Sequence, residues 1–366
     1  MPLTAGIIGL PNVGKSTLFN AITHSQVEAA NYPFATINPN VKTVEVPDER
    51  VDKLSAMFNP RKTIRTTFEF TDIAGLVKGA SRGEGLGNKF LGNIREVDAI
   101  CHVVRCFDDP SITHVENSVD PKRDIEIVNL ELAMADLESV TNRISKIERK
   151  AQSKEKDAVK EYEILTRIKD ALEKGLPARS VELNEEEQLL CKSYNLLTSK
   201  PVIYIANMSE DAIAHPEDSA YYQAVKAIAE AENNRVIAIT ARIEEELSQL
   251  DEEDRQMFLE EMGLKHSGLD EIIVTAYGIM NLCTFLTVGT DEVRAWTFKK
   301  GMKAPDCAGV IHSDFKKGFI RAEVYSYDDI MKYGSEQALK EAGKLRIEGK
   351  EYVVQDGDIM HIRFNV

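Results

Sequence analysis

Residues Gly9 to Thr17 read GLPNVGKST, in which Gly9, Gly14, Lys15 and Ser16 satisfy the spacing G-x-x-x-x-G-K-[ST]. That spacing has a chemistry when a strand precedes it and a helix follows. Glycines let the backbone wrap a phosphate with successive N–H groups turned inward, and the helix adds its positive end. Lys15 then brings a point charge to the β- and γ-phosphates, the Ser16 hydroxyl is placed to ligate Mg²⁺, and Thr17 approaches the α-phosphate. A second metal-side group belongs at the end of the next strand. There TFEFTDIAGL offers Asp72, with Gly75 free to put a backbone N–H on a γ-phosphate. Between the two motifs runs NYPFATINPN, whose Thr36 is the candidate Mg²⁺ ligand of a triphosphate state; a plain turn threonine is the alternative.

A purine base would be read further along. The run Asn207-Met208-Ser209-Glu210 stands where a guanine-reading N-K-x-D element would, with two positions changed. A carboxylate only accepts hydrogen bonds, which suits the paired N1 and N2 donors of guanine. Glu210 is one methylene too long and Met208 replaces the lysine, so that fork is displaced and adenine becomes a candidate base. Met208 would flank it by flexible apolar contact. Thr240-Ala241-Arg242 could add backbone N–H groups to a base substituent.

The elements that must position these residues follow from pattern. Five β-rich runs, Ala5–Leu10, Thr66–Asp72, Ala99–Phe107, Pro201–Asn207 and Arg235–Thr240, alternate with helical stretches, which is the pattern of a doubly wound α/β fold with a mostly parallel sheet. Such sheets bind ligands at the carboxyl ends of their strands, where every motif above falls. From about Asp124 to Leu197 the chain holds more helix than one crossover needs. Leu130, Leu137, Ile144 and Ala151 are spaced by seven, and Ala158, Leu165 and Leu172 continue, so an inserted antiparallel coiled-coil hairpin is expected, turning near Ala151–Asp157 and ending at Gly175 and Pro177. Residues 141–175 carry 10 Lys/Arg against 7 Asp/Glu, either a solvated face or a docking surface for RNA or an acidic partner. From about 281 short strands and turns suggest a small α+β domain with the single tryptophan, Trp296, in its core.

Composition bounds the function. Across 366 residues the net charge is −15, which argues against bulk adhesion to DNA, RNA or anionic membrane. Residues 281–366 hold 13 Lys/Arg and 13 Asp/Glu, so the whole excess lies in residues 1–280. No stretch approaches a membrane span and no signal peptide is recognisable, so a cytoplasmic location is expected. The five cysteines lack metal spacing and read as reduced, mostly buried thiols.

Together GLPNVGKST, NYPFATI, DIAGL and NMSE, in this order and spread over the whole chain, resemble the Obg-like translation-factor GTPases and within them the YchF, or Obg-like ATPase, branch. The resemblance implies a G domain over 1–280 with the hairpin inserted at 124–197, and a ubiquitin-like β-grasp (TGS) domain over 281–366. It implies nucleotide contacts at Asn12, Val13, Gly14, Lys15, Ser16 and Thr17, magnesium at Ser16 and Thr36, base contact at Met208, ATP preferred over GTP, and association with the ribosome through local basic patches and the TGS domain. The residue after DIAG is Leu76, which cannot orient water as a glutamine does. His114, in the loop after the third run, is the candidate to assist hydrolysis, although a lone loop histidine is more often only exposed. Asn12 is a weaker candidate for holding a potassium ion beside the phosphates. The glycine-rich loop Leu76–Phe90 is a switch candidate or a plain surface loop. The expected function is a magnesium-dependent ATPase switch, with a GTPase of relaxed base specificity and a non-enzymatic ATP-sensing adaptor as alternatives.

Overall fold

The structure, a computed structural model, describes residues 3–25, 40–73, 75 and 87–365. Along the chain come β1 (Thr4–Ile8), α1 (Lys15–His24), β2 (Val41–Glu45), α2 (Glu49–Phe58), β3 (Lys62–Ile64), β4 (Thr67–Asp72), α3 (Gly87–Glu96) and β5 (Ala99–Cys106). The long pair α4 (Pro121–Gln152) and α5 (Lys156–Glu173) follows, then α6 (Glu185–Lys192), β6 (Val202–Met208), α7 (Ala220–Ala231), β7 (Arg235–Ile239), α8 (Ala241–Leu247), α9 (Glu252–Glu261) and α10 (Gly268–Ile279). The remainder is β8 (Leu282–Thr287), β9 (Glu292–Lys299), α11 (Ala304–Ile311), α12 (Ser313–Lys317), β10 (Phe319–Ser326), α13 (Tyr327–Tyr333), α14 (Glu336–Glu341), β11 (Arg346–Glu348) and β12 (Asp358–Phe364). Two compact units result, Met1–Val44 with Glu69–Ile272, and Glu45–Phe68 with Ile273–Val366.

The first sheet has the order β2-β4-β1-β5-β6-β7. From β4 to β7 all neighbours are parallel, with Ile7 of β1 opposite Asp72 on one side and Cys101 on the other. Every residue of β5 and β6 is buried, which is why these runs are nearly unbroken in apolar residues. Between β4 and β5, β1 marks the point where strand order reverses, so the carboxyl ends of β1 and β4 open on a ligand crevice.

The hairpin is present, with a different register from the one expected. Helix α4 begins at Pro121 rather than Asp124, because Asp120 caps it by accepting from the Arg123 N–H. The turn falls at 153–155, where Lys154 has φ +61°, and α5 stops just before Gly175, at φ +75°. Val140, Ile147, Leu165 and Leu172 share one core with Leu137 and Ile144 packed against it. Leu130, expected in the same seam, is 55% exposed. The root of α4 instead buries Ile125, Val128 and Leu132, a face set by the body of the first unit, and the seven-residue seam runs through Ala133, Val140 and Ile147. Part of the basic face is paired: Arg143 with Glu161, Arg167 with Glu187 and Lys160 with Glu186. Towards the turn Lys146, Arg149, Lys150, Lys154 and Lys156 are exposed. Among the described residues no helix is long and apolar enough to cross a membrane.

In the second unit β9-β8-β12-β10-β11 form the ubiquitin-like β-grasp order, with β8 and β12 the parallel central pair. Trp296 is half-buried; it stacks on Phe285 at 6.4 Å and donates through Nε1 to the Thr287 hydroxyl at 3.0 Å. Strand β3 pairs parallel with β9, and Val51 and Leu54 of α2 join the core of Leu286, Val293, Tyr325 and Ile330. Residues 45–68 therefore lie in this unit, where a single division at 280 keeps them in the first. Composition cannot reveal this: β3 is three residues long and two of them are exposed.

Candidate nucleotide-binding site

The loop between β1 and α1 is shaped by what cannot stand in it. A Cβ on Gly9 would lie 2.5 Å from the Val103 carbonyl oxygen. Gly14 has φ +100°, in the left-handed region, and a Cβ there would drive into the side-chain amide of Asn207. Asn12 is also left-handed, at φ +61°, a conformation asparagine tolerates. Gly14 is the N-cap of α1; no side chain caps this helix and its first turn carries no acidic residue. Its leading N–H groups, on Lys15, Ser16 and Thr17, are thus left to an anion, reinforced by the helix dipole. Ser16 is exposed and Val13 is buried beneath the loop.

The charges sit deeper. Lys15 is buried, and its Nζ donates to the Leu10 carbonyl at 2.8 Å. Burial pushes its pKa down to about 8, a shift the nearby Asp72 carboxylate opposes. The Asp72 carboxyl is pushed up by burial and held back by Lys15. His102 of β5 is driven down to about 3 by burial, with Lys15 adding to it, and stays neutral. A Cβ on Gly75 would come within 3.1 Å of Nζ, so Gly75 sits at the mouth of this crevice. Among the described residues no cluster of three or more His, Cys, Asp or Glu could hold a metal by itself. A hydroxyl from Ser16 and a carboxylate from Asp72 fit Mg²⁺ all the same, since this ion keeps waters and takes phosphate oxygens for the rest of its octahedron. Thr36, Leu76 and most of the loop Leu76–Phe90 lie outside the described residues.

On the base side the structure separates residues that the sequence reading groups together. Asn207 is buried and holds two segments: Nδ2 donates to the Val13 carbonyl at 2.8 Å, and Oδ1 accepts from the Ala241 N–H at 2.9 Å. The two bonds brace the phosphate loop against the start of α8. Met208, expected to flank the base, has its side chain in the core at 1% exposure. Glu210 is exposed on the short turn after β6, with its Oε1 3.8 Å from Nε of Arg242.

His114, expected in an accessible loop, is turned inward instead. Its side chain is 4% exposed, and Nε2 lies 2.8 Å from Oδ2 of Asp124, itself 3% exposed. Nδ1 accepts the Glu116 N–H at 3.1 Å, which places the proton on Nε2 and makes it the donor to Asp124. Neither nitrogen is free for water in this conformation. Asn12, the potassium candidate, donates through Nδ2 to the Thr113 carbonyl at 3.1 Å, tying the phosphate loop to the same segment. Sequence reasoning missed Arg105, wholly buried, whose guanidinium donates to the carbonyls of Phe107, Ile112 and Asp109 at 3.0–3.1 Å. It also missed Asp124. An arginine inside an otherwise apolar strand, and an aspartate one turn past a capping Asp-Pro, were the available signals.

Known proteins resemble this chain over its whole length. Residues 4–143 match a family profile described as a 50S ribosome-binding GTPase, and residues 282–365 match the YchF-type GTPase C-terminal profile. A protein of Bacillus subtilis (strain 168) called ribosome-binding ATPase YchF is 60% identical over 366 residues, the full length of both chains. Its counterpart in Escherichia coli O157:H7 is 49% identical, again over both full lengths. A solved structure of the YchF GTPase of Schizosaccharomyces pombe superposes with a TM-score of 0.89 at 42% identity, covering 99% of this chain and 97% of that one.

Proposed function

The chain belongs to the YchF family, and on that premise we propose that it binds and hydrolyses ATP in preference to GTP, with Mg²⁺, as a nucleotide-dependent switch that associates with the ribosome in the cytoplasm. The observation that carries this reading is the crevice at the ends of β1 and β4. There an uncapped helix N-terminus, a buried lysine and a half-buried carboxylate converge. Bound magnesium would neutralise charge developing on the β- and γ-phosphates. The residues do the rest: Lys15, freed from the Leu10 carbonyl, takes the β- and γ-oxygens; Ser16 and Asp72 hold the metal side, with Thr36 completing it; Gly75 offers its N–H to the γ-phosphate.

Leu76 cannot orient water, so turnover is modest, and His114 assists only when its loop leaves the conformation described above. Catalytic groups are often poorly aligned until substrate is bound. A potassium ion, if used, would meet Oδ1 of Asn12, because Nδ2 is committed. The exposed cations near the hairpin turn, and separately the TGS-type domain, are the surfaces offered to the ribosome. Leu76 also supports the second reading, an adaptor gated by ATP occupancy alone.

The discriminating experiment is equilibrium binding of ATP and GTP with Mg²⁺ to nucleotide-free protein, repeated for the variant Glu210→Asp at the exposed position after β6, with the core residue Met208 left unchanged. The expected result is tighter ATP binding by the parent and a shift towards GTP in the variant. Tighter GTP binding by the parent would return the chain to guanine-specific enzymes.

A further inference from the structure

Residues Phe107 to Ser118 form a loop with two unlike halves. The first is pinned by the three carbonyl contacts of Arg105. The second is held by side chains that lie elsewhere. Asn12 of the phosphate loop grips the Thr113 carbonyl, Asp124 grips His114, and Arg123 reaches both the Ser118 carbonyl and Oδ1 of Asp124 at 3.0 Å. In this second half the burial pattern is inverted. His114 is buried, while Val115 beside it is 45% exposed. A satisfied polar ring inside, with an apolar neighbour outside, breaks the usual local pattern, and such breaks concentrate at functional sites.

We propose that Asp124 is a positioning residue for hydrolysis: its carboxylate latches His114 into the core, and the histidine reaches the nucleotide only when that bond opens. The proposal rests on the reading of His114 as the group that assists hydrolysis. Its logic is steric and electrostatic. The Asn12–Thr113 bond makes the loop sensitive to any shift of the phosphate loop, so γ-phosphate binding at one end strains the latch at the other. Asp124 stands in the first turn of α4, so the latch also joins the phosphate site to the root of the hairpin. A partner that displaces α4 would then alter turnover without touching nucleotide.

The test uses the full chain, labelled with ¹⁵N in its histidine rings, with the His114 signal assigned by its loss in His114→Gln. In the nucleotide-free protein the His114 Nε2 proton exchanges slowly; with saturating Mg²⁺ and a non-hydrolysable ATP analogue that protection disappears. In steady-state assays Asp124→Asn, which keeps the shape but exchanges a charge-assisted bond for a neutral one about half as strong, raises kcat about fivefold and leaves KM for ATP unchanged. Protection that persists in the analogue complex overturns the latch, as does an Asp124→Asn kcat at or below that of the parent. Because the exchange measurement is made on unsubstituted protein, it stands even if a variant folds poorly. Unchanged kcat in His114→Gln, alongside lost protection, removes the catalytic role of His114 and with it the proposal, while leaving the ATP-binding reading intact.

Discussion

Replacing Asn207 by alanine separates scaffold from recognition. The buried amide joins the Val13 carbonyl, in the phosphate loop, to the Ala241 N–H at the start of α8, through bonds of 2.8 and 2.9 Å. Its loss leaves two buried backbone groups unsatisfied at about 1–3 kcal/mol each, together about 2–4 kcal/mol once some relaxation is allowed. That is a large share of a typical domain stability of about 5–15 kcal/mol. Space also opens beside Gly14, so the loop loses its left-handed turn as a preorganised state. Nucleotide affinity should fall by about tenfold or more, from the same destabilisation. The fall should be equal for ATP and GTP. The one N–H of Asn207 not spent on Val13 could reach only purine N7, an acceptor in adenine and guanine alike. Urea unfolding of the nucleotide-free protein, paired with calorimetric titration of both nucleotides, tests this. Unchanged stability with a selective loss of one nucleotide would show that Asn207 reads the base and that the scaffold account is mistaken.

Two further outcomes are expected. Because the folded-state pKa of Lys15 is depressed to about 8 from 10.5, the unfolded chain binds the proton more tightly. The charged lysine therefore costs the nucleotide-free fold about 3 kcal/mol below pH 8, a cost that fades as pH rises from about 8 to 10.5. The stability difference between parent and Lys15→Met, followed by denaturation across that range, should shift in favour of the parent as pH rises; a difference flat in pH would refute the assignment. Asp136, wholly buried, accepts the N–H groups of Leu197 and Thr198 and the Thr198 hydroxyl at 2.7–2.9 Å. Asp136→Ala should cost about 3 kcal/mol or more and abolish hydrogen-exchange protection at Leu197 and Thr198, while the amides of β6 stay protected.

The phosphate loop was legible because phosphate chemistry leaves little choice of residue: only glycine fits beside Val103 and Asn207, and only a helix opening there supplies the N–H groups. The central strands β1, β5 and β6 were legible for the same kind of reason, since burial on both faces writes a continuous apolar run. Roles that depend on distant partners were not. Asn207 could be found by position, yet its partners Val13 and Ala241 lie 194 and 34 residues away, and nothing local tells a brace from a base reader. His114 was found and its setting was not, because a loop histidine carries no pattern that reveals a buried acid ten residues on. The hairpin register failed at Leu130 because a helix packed on two surfaces in turn changes its buried face along its length.

The membership of Glu45–Phe68 in the second unit has a consequence for how the chain is made. As the polypeptide emerges, α2 and β3 appear early, and their core partners Leu286 and Val293 and the neighbouring strand β9 come only after some two hundred more residues. At about 5–20 residues per second, that interval is roughly 10–40 s of synthesis. Throughout it Val51 and Leu54 have no finished core to enter. A ribosome stalled before residue 282 would therefore hold a nascent chain whose α2 has an unmated apolar face, and an allele truncated near that point would yield a sticky fragment rather than a clean nucleotide-binding module.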